Sequence, residues 1–353
     1  MRHQNRVIRR MVWVMPLLAA LFVSACSGSS STSTPSTPST SIVTGTPPPQ
    51  TPAPAGTQQA SYKGVYQFIG QKNPANAALP YLAGAALNFY WSDIEPAKGQ
   101  FNWNLIDTAM APWTSHGKHV ILRITAAGNN NGDASSAQRT PQWVFDEGVP
   151  SVKLSSGAVY PQYWNATWLK EFGGFIQALA AHYDGNPAIT YVNIATGNDG
   201  ETLPIKAKNP QAVSQIQGMG YTDELWFNTI QRIAGIYTAN FHKTPLAMQI
   251  DRTFVGGTAG YNEGKVISFA NSLGIWLQCD SLNQNTSLGP PWTQRPLAVE
   301  QGQPASQSGY PLSVDLQQGL SLHASFILIF VGDINSAANQ GALQSAATQI
   351  VGG

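Results

Sequence analysis

From Tyr62 onward the chain carries eight short runs rich in β-branched and aromatic residues, spaced far enough apart for helices to fit between most of them. The runs are Val65–Ile69, Gly84–Tyr90, His119–Thr125, Ile189–Ala195, Pro245–Ile250, Ile275–Cys279, Pro296–Val299 and Phe326–Val331. Helical periodicity fills several of the gaps. In Trp164–His182 the apolar residues Trp168, Leu169, Phe172, Ile176, Leu179 and Ala180 recur on one face of a 3.6-residue helix. Asp223–Phe241 repeats the pattern through Leu225, Phe227, Ile230, Ile233, Ala234 and Tyr237, and Gly264–Ser272 and Ala338–Ile350 carry it more weakly. Strands that alternate with helices pair in parallel, because a parallel neighbour is reached only by a long crossover. Eight such units predict an α/β fold, a single TIM (β/α)8 barrel over residues 62–353. The alternative is an open doubly wound sheet. No Gly-rich phosphate loop follows the first run, which weighs against it.

The residues before Tyr62 read differently. Arg2, Arg6, Arg9 and Arg10 precede an apolar stretch, Met11–Val23, that is short for a membrane span. Residues 1–25 are expected to be an export signal. The sequence Val23-Ser24-Ala25-Cys26 resembles a bacterial lipobox, which implies lipidation of Cys26 and an anchor in the cell envelope, facing away from the cytoplasm. An ordinary signal peptide with an incidental Cys is the alternative. Residues 26–61 are dominated by Ser, Thr, Pro and Gly, without a charged side chain, and are expected to form a disordered tether.

Composition narrows the function. Charged residues make up only 10% of the chain, against roughly 25% in ordinary soluble domains. The formal net charge is +1, and without the four signal-peptide Arg it becomes −3. That balance argues against nucleic acid as a partner. Two Cys residues exclude a disulfide scaffold, and Cys279 reads as a buried small hydrophobe. Aromatic residues at 10%, among them 10 Trp, suit a neutral carbohydrate ligand.

In such barrels the chemistry lies where strands end, and these ends are polar. The fourth run leads into Thr196-Gly197-Asn198-Asp199-Gly200-Glu201, and the seventh leads directly into Glu300. The others carry Gln67, Asn88, Arg123, Gln249 with Asp251, Gln278 with Asp280, and Asp333. Two carboxyl groups flanking one pocket are what glycoside hydrolysis requires: one protonates the leaving oxygen, and the other attacks the anomeric carbon or activates water. Glu201 and Glu300 are the expected pair. Glu201 is otherwise a first-turn helix acid, and Glu300 otherwise a solvated loop residue.

The segment Trp91-Ser92-Asp93-Ile94-Glu95-Pro96-Ala97-Lys98-Gly99-Gln100-Phe101-Asn102-Trp103 resembles the stretch after the second strand in β-galactosidase-like barrels of glycoside hydrolase clan A. Thr140-Pro141-Gln142-Trp143-Val144 is similar to their loop after the third strand, and Gly197–Glu201 to the fourth-strand ending of a subset. The resemblance implies Glu201 as acid/base, Glu300 as nucleophile and a retaining double displacement. The clan's fourth strand usually ends in an adjacent Asn-Glu pair, whereas here Asp199 and Gly200 separate Asn198 from Glu201. Its eighth strand usually ends near a Trp, whereas this one reads Phe330-Val331-Gly332-Asp333.

Asn88, Tyr90, Trp91, Arg123, Trp143, Asn198, Gln249, Trp276 and Gln278 complete the expected substrate site. Tyr90, Trp91, Trp143 and Trp276 either stack on sugar faces or pack in the core. Glu95 is expected to bind a cation or cap its loop, and Arg123 to hold the nucleophile ionised or to pair with Glu95. His182 and His242 read as helix-end caps, so no metal and no cofactor are expected. The sequence therefore points to a surface-anchored glycoside hydrolase of neutral oligo- or polysaccharides. The alternatives are a carbohydrate-binding lipoprotein on a degenerate barrel and a structural surface protein without a sugar site.

Overall fold

The computed structural model describes residues 62–128, 138–205, 210–292 and 296–352. The expected signal, Cys26 and the tether lie outside the described residues. Eight parallel strands close into one barrel. They are β1 (Gly64–Phe68), β2 (Leu82–Tyr90), β3 (His119–Thr125), β4 (Ile189–Ile194), β5 (Leu246–Ile250), β6 (Trp276–Leu282), β7 (Leu297–Gln301) and β8 (Phe326–Phe330). Each expected run forms a strand, and each boundary falls within a few residues of its expected place. Closure is made by β1 on β8, in register from Gly64 on Phe326 to Phe68 on Phe330. The open doubly wound sheet is thereby excluded.

Helices pack outside the strands: α1 (Asn104–Thr114), α2 (Ala166–Tyr183), α3 (Pro210–Gly218), α4 (Asp223–Asn240), α5 (Glu263–Ser272), α6 (Leu312–Ser321) and α7 (Gln340–Gly352). Side-chain caps set where several begin. Asn165 Oδ1 accepts from the Thr167 and Trp168 amides at the start of α2, and Thr222 and Asn262 do the same for α4 and α5. The expectation of eight full strand–helix units needs correction. The β1–β2 connection contains only 3-10 turns, Gly70–Lys72 and Pro74–Ala78, and no helix forms in the described residues between β6 and β7. Proline contributes: Pro80 follows the second 3-10 turn and stops it from extending, and Pro290 and Pro291 stand inside the second connection.

The barrel has two apolar compartments. An outer shell lies between strands and helices and contains Trp91, Trp113, Trp168, Phe172 and Phe175. An inner plug fills the lower barrel with Tyr66, Ala86, Ile121, Tyr191, Ala247, Trp276, Ala298, Phe326 and Leu328. Strand side chains alternate between the two faces, so the residue two places after an inner-plug residue points inward one layer higher. Above the plug this rule puts Asn88, Arg123, Asn193, Gln249, Gln278 and Glu300 in one inward-facing polar layer.

Candidate active site

The turn after β4 carries Glu201 to the barrel mouth. The Gly200 amide donates to Gly197 O (3.1 Å), the Glu201 amide to Asn198 O (2.9 Å) and the Asn198 amide to Leu203 O (2.7 Å). A Cβ on Gly197 would stand 2.3 Å from Leu203 O, so only glycine fits there. Gly200 takes φ 89°, the left-handed region that glycine enters without strain. Asp199 shares that region at φ 54°, a conformation unfavourable for a residue with a side chain. It is held there by Arg139, whose Nη1 lies 2.6 Å from Asp199 Oδ1, and by its own amide, which donates to Ala127 O. The Thr202 amide then donates to Gln249 O, which ties the end of the turn to β5. Glu201 is therefore a turn residue at the mouth, and the first-turn helix reading does not hold.

Glu201, Asp251 and Asp280 bring carboxylate oxygens within 4.8 Å of one another. They are the one cluster of metal-competent side chains among the described residues. All three are half-buried. Burial pushes the Glu201 carboxyl well above the usual carboxylate range, and the charges of Asp280, Asp251, Asp199 and Glu300 add to it. Burial, with Asp251 beside it, also raises Asp280 strongly.

Glu300 sits at the top of β7, buried, in a different environment. Arg123 Nη2 lies 2.5 Å from its Oε2, and Gln278 Nε2 donates to the same oxygen at 2.9 Å. Burial, with the Asp199 charge, leaves this carboxyl above the usual carboxylate range, although Arg123 and the Gln278 hydrogen bond pull it back down. Gln278 is itself fixed, since its Oε1 accepts from Tyr191 OH (2.9 Å) and Asn193 Nδ2 (3.1 Å). Gln278 is thus a positioning residue for Glu300.

The other candidates divide. Arg123 pairs with Glu300 and not with Glu95. Glu95 caps its own loop, accepting from Trp91 Nε1 and the Gly99 amide, each at 2.8 Å. Asn88 lies beside Arg123 in register, and its Oδ1 is buried without a partner. Gln249 is fully buried, with neither amide atom hydrogen-bonded. Tyr90 is half-buried under the Arg139 guanidinium, 4.5 Å from its ring centre. Asn198 reaches the site only through its backbone: Tyr160 OH donates to its Oδ1, and its Nδ2 donates to Asp199.

Trp91 and Trp276 need correction as sugar platforms, and Trp143 stays half-exposed, away from the polar layer. Trp91 has no exposed surface and is packed in the outer shell, stacked on Phe175 and edge-on to Phe172. Trp143 lies on a short helix, Gln142–Asp146, edge-on to Trp91, with its indole N–H on Glu95 O. Trp276 belongs to the inner plug and stacks on Phe326 at 5.8 Å. Strand-end polarity also misled at two places. Gln67 binds Asn76 and the Gly70 carbonyl, and Asp333 receives Gln301 and the Ala305 amide, so both anchor loops.

Sequence reasoning missed Asn193, Tyr191, Arg139 and a pair of mouth aromatics. Phe68 and Phe330 end β1 and β8, half-buried and edge-on at 5.3 Å, and Arg123 lies 5.3 Å from the Phe68 ring centre. The signal was present in the alternation. Tyr66 and Leu328 face inward, so Phe68 and Phe330 do too, one layer nearer the mouth.

Residues 85–199 match the family model described as beta-galactosidase (Glyco_hydro_42), about a third of the chain, and the match ends two residues before Glu201. No curated protein matches the sequence. Among solved structures, the catalytic domain of β-amylase from Paenibacillus polymyxa is similar with a TM-score of 0.60 and 11% identity, over 83% of this chain and 98% of that one. The β-galactosidase from the psychrophilic Marinomonas ef1 is similar with a TM-score of 0.52 and 13% identity, over 81% of this chain and 58% of that one. At these identities the likeness is one of fold. Residues 85–199 thus set the chain beside the β-galactosidase-like glycoside hydrolases in sequence, and its closed eight-stranded parallel sheet sets it beside them in fold.

Proposed function

We propose that this chain is a retaining glycoside hydrolase of oligo- or polysaccharides, with Glu300 as nucleophile and Glu201 as acid/base. One observation carries the reading: the two glutamates at the mouth have opposite surroundings. Glu300 is paired with a cation, and Glu201 is crowded by carboxylates. A carboxyl crowded by like charges is driven toward its protonated form, and a neighbouring Arg favours the charged form of the other. That division is the one a glycosidase needs.

In the first step an oxygen of the Glu300 carboxylate attacks the anomeric carbon. Its bond to the glycosidic oxygen breaks, and that oxygen takes the Glu201 proton. Arg123 and Gln278 both bind Oε2, and neither binds Oε1. In the second step Glu201, now ionised, takes a proton from water. The water oxygen attacks the anomeric carbon and releases Glu300. Asn88, Arg123, Asn193 and Gln249 supply unpartnered buried atoms of both donor and acceptor kinds to the floor, which suits a ligand rich in hydroxyls. Phe68 and Phe330 offer apolar ring surface where a sugar face would lie. Lipidation of Cys26 would hold the barrel on the outer side of a membrane.

The test is turnover of a panel of aryl glycosides by the full chain, with Glu300→Gln and Glu201→Gln as variants. Each variant should lower kcat/KM by about a thousandfold or more without lowering the melting temperature. Turnover surviving in Glu300→Gln overturns the assignment. NMR of the first-formed anomer reads retention directly. A non-catalytic sugar-binding barrel is favoured by one feature, the engagement of the Asn198 amide with Tyr160 and Asp199. Sugar binding without turnover would select that reading.

A further inference from the structure

Three carboxylates at the mouth outnumber what the hydrolytic reaction needs. Glu201, Asp251 and Asp280 lie with their oxygens within 4.8 Å of one another, and no Lys or Arg among the described residues forms an ion pair with any of them. The two arginines that form ion pairs at this end of the barrel meet other acids, Arg123 at Glu300 and Arg139 at Asp199. Like charges this close, half removed from water, repel strongly unless protons or a cation come between them.

A second observation lies directly below. Gln249 has no exposed surface, and neither its Nε2 nor its Oε1 has a partner. It precedes Asp251 by two residues, so both project inward from the same face of the chain, and it stands beside Gln278 in register. Gln249 and Gln278 thus form the inward-facing layer directly beneath the chain positions that carry Asp251 and Asp280. A buried amide left wholly unpaired is costly, and satisfying it takes a group that both donates and accepts. A hydroxyl does this. A bare metal ion meets only the oxygen and repels the amide hydrogens.

The two demands, positive charge above and a hydroxyl below, meet in one chemical class. We propose that the site takes a free amino sugar, an unacetylated hexosamine unit, with its ammonium group among Glu201, Asp251 and Asp280 and a hydroxyl on Gln249. This rests on the glycosidase reading and replaces the expected neutral substrate with a cationic one. The spacing allows it: an ammonium nitrogen bonded at ~2.8 Å to three oxygens in tetrahedral directions holds them about 4.6 Å apart, inside the 4.8 Å within which these oxygens lie. The count of acids agrees too. With Asp251 and Asp280 ionised around one ammonium, a single net negative charge still faces Glu201 and keeps its proton available for the leaving oxygen. N-acetylation removes the positive charge and adds bulk, so N-acetylhexosamines are excluded.

Calorimetric titration of the full chain at pH 7 with glucosamine and galactosamine, against glucose, galactose and N-acetylglucosamine, tests the proposal. The free amines should bind at least about tenfold more tightly than the neutral sugars. That ratio should fall to near one in the Asp251→Asn/Asp280→Asn double variant, with a thermal melt confirming that it is folded. Equal affinity for amines and neutral sugars overturns the proposal, as does a preference that survives in the double variant. Heat from calcium chloride alone that the double variant abolishes, without any preference for the amines, also overturns it and makes the cluster a metal site. Turnover of neutral aryl glycosides that requires Glu300, with no preference for amines, removes the amino sugar and leaves the glycosidase. Absence of both binding and turnover for every sugar removes the glycosidase and the amino sugar together.

Discussion

Arg123 Nη2 stands 2.5 Å from Glu300 Oε2, joining the third strand to the seventh across the barrel interior with both side chains almost fully buried. A buried pair of this kind contributes less to stability than its geometry suggests, because both charges lose water. Its consequence for function is clearer: among the described residues it is the one ion pair made by either glutamate.

Replacing Arg123 with Ala strands the Glu300 charge. Breaking a buried pair on one side costs about 3–5 kcal/mol. The carboxyl also loses the main influence holding it down, so its pKa rises. If Glu300 is the nucleophile, the acidic limb of kcat/KM against pH moves to higher pH in the Arg123→Ala enzyme. An unmoved limb would separate Glu300 from the step that limits the rate at low pH.

Gly197→Ala tests how Glu201 is placed. The added Cβ would lie 2.3 Å from Leu203 O, so the turn must open. Overpacking of this kind costs roughly 1–3 kcal/mol. Urea unfolding should show that loss. Turnover should fall more than stability predicts, because the displaced side chain is the proposed proton donor.

Asp315 should make the fold less stable as pH rises. It lies on α6, buried, taking a hydrogen bond from Gln301 Nε2 at 3.2 Å, while its Oδ1 has no partner. Burial, with Asp333 nearby, pushes its pKa from 3.8 to about 6. The folded chain therefore holds a proton that the unfolded chain has already lost. Stability is full below about pH 4 and falls as pH rises toward 6, by at most about 3 kcal/mol. Asp315→Asn should flatten this part of the curve and raise the melting temperature at pH 7. A curve unchanged by the substitution would place the titration elsewhere.

Trp276→Ala should damage the fold and not the site. The side chain is 6% exposed and stacked on Phe326 inside the plug. Its removal should cost about 3–5 kcal/mol in denaturant unfolding. A selective rise in KM with stability intact would return Trp276 to the substrate.

The positions of the strands were legible because an inward-facing strand packed on both sides must be apolar along its length, and short apolar runs between turn residues are visible one at a time. Glu300 was legible for the same reason, since it interrupts such a run at its end. Helix α1 was not, because Asn104 and Asp107 dilute its apolar face and Pro112 sits inside it. Trp91 and Trp276 were misread because an indole's neighbours come from distant segments. Trp91 meets Phe172 and Phe175 of α2, about eighty residues away, and nothing local marks that meeting.

By itself, then, the sequence determined the order of the eight strands, their parallel closure and the place of Glu300 at a strand end, since each follows from local periodicity and the restricted ways of connecting it. Tertiary structure alone decided what surrounds Glu300 and Glu201. Arg123 reaches Glu300 across 177 residues of chain, and Asp251 and Asp280 converge on Glu201 only when the sheet closes. The ionisation of a carboxyl depends on charges within a few ångströms, and closing the barrel is what brings those charges together.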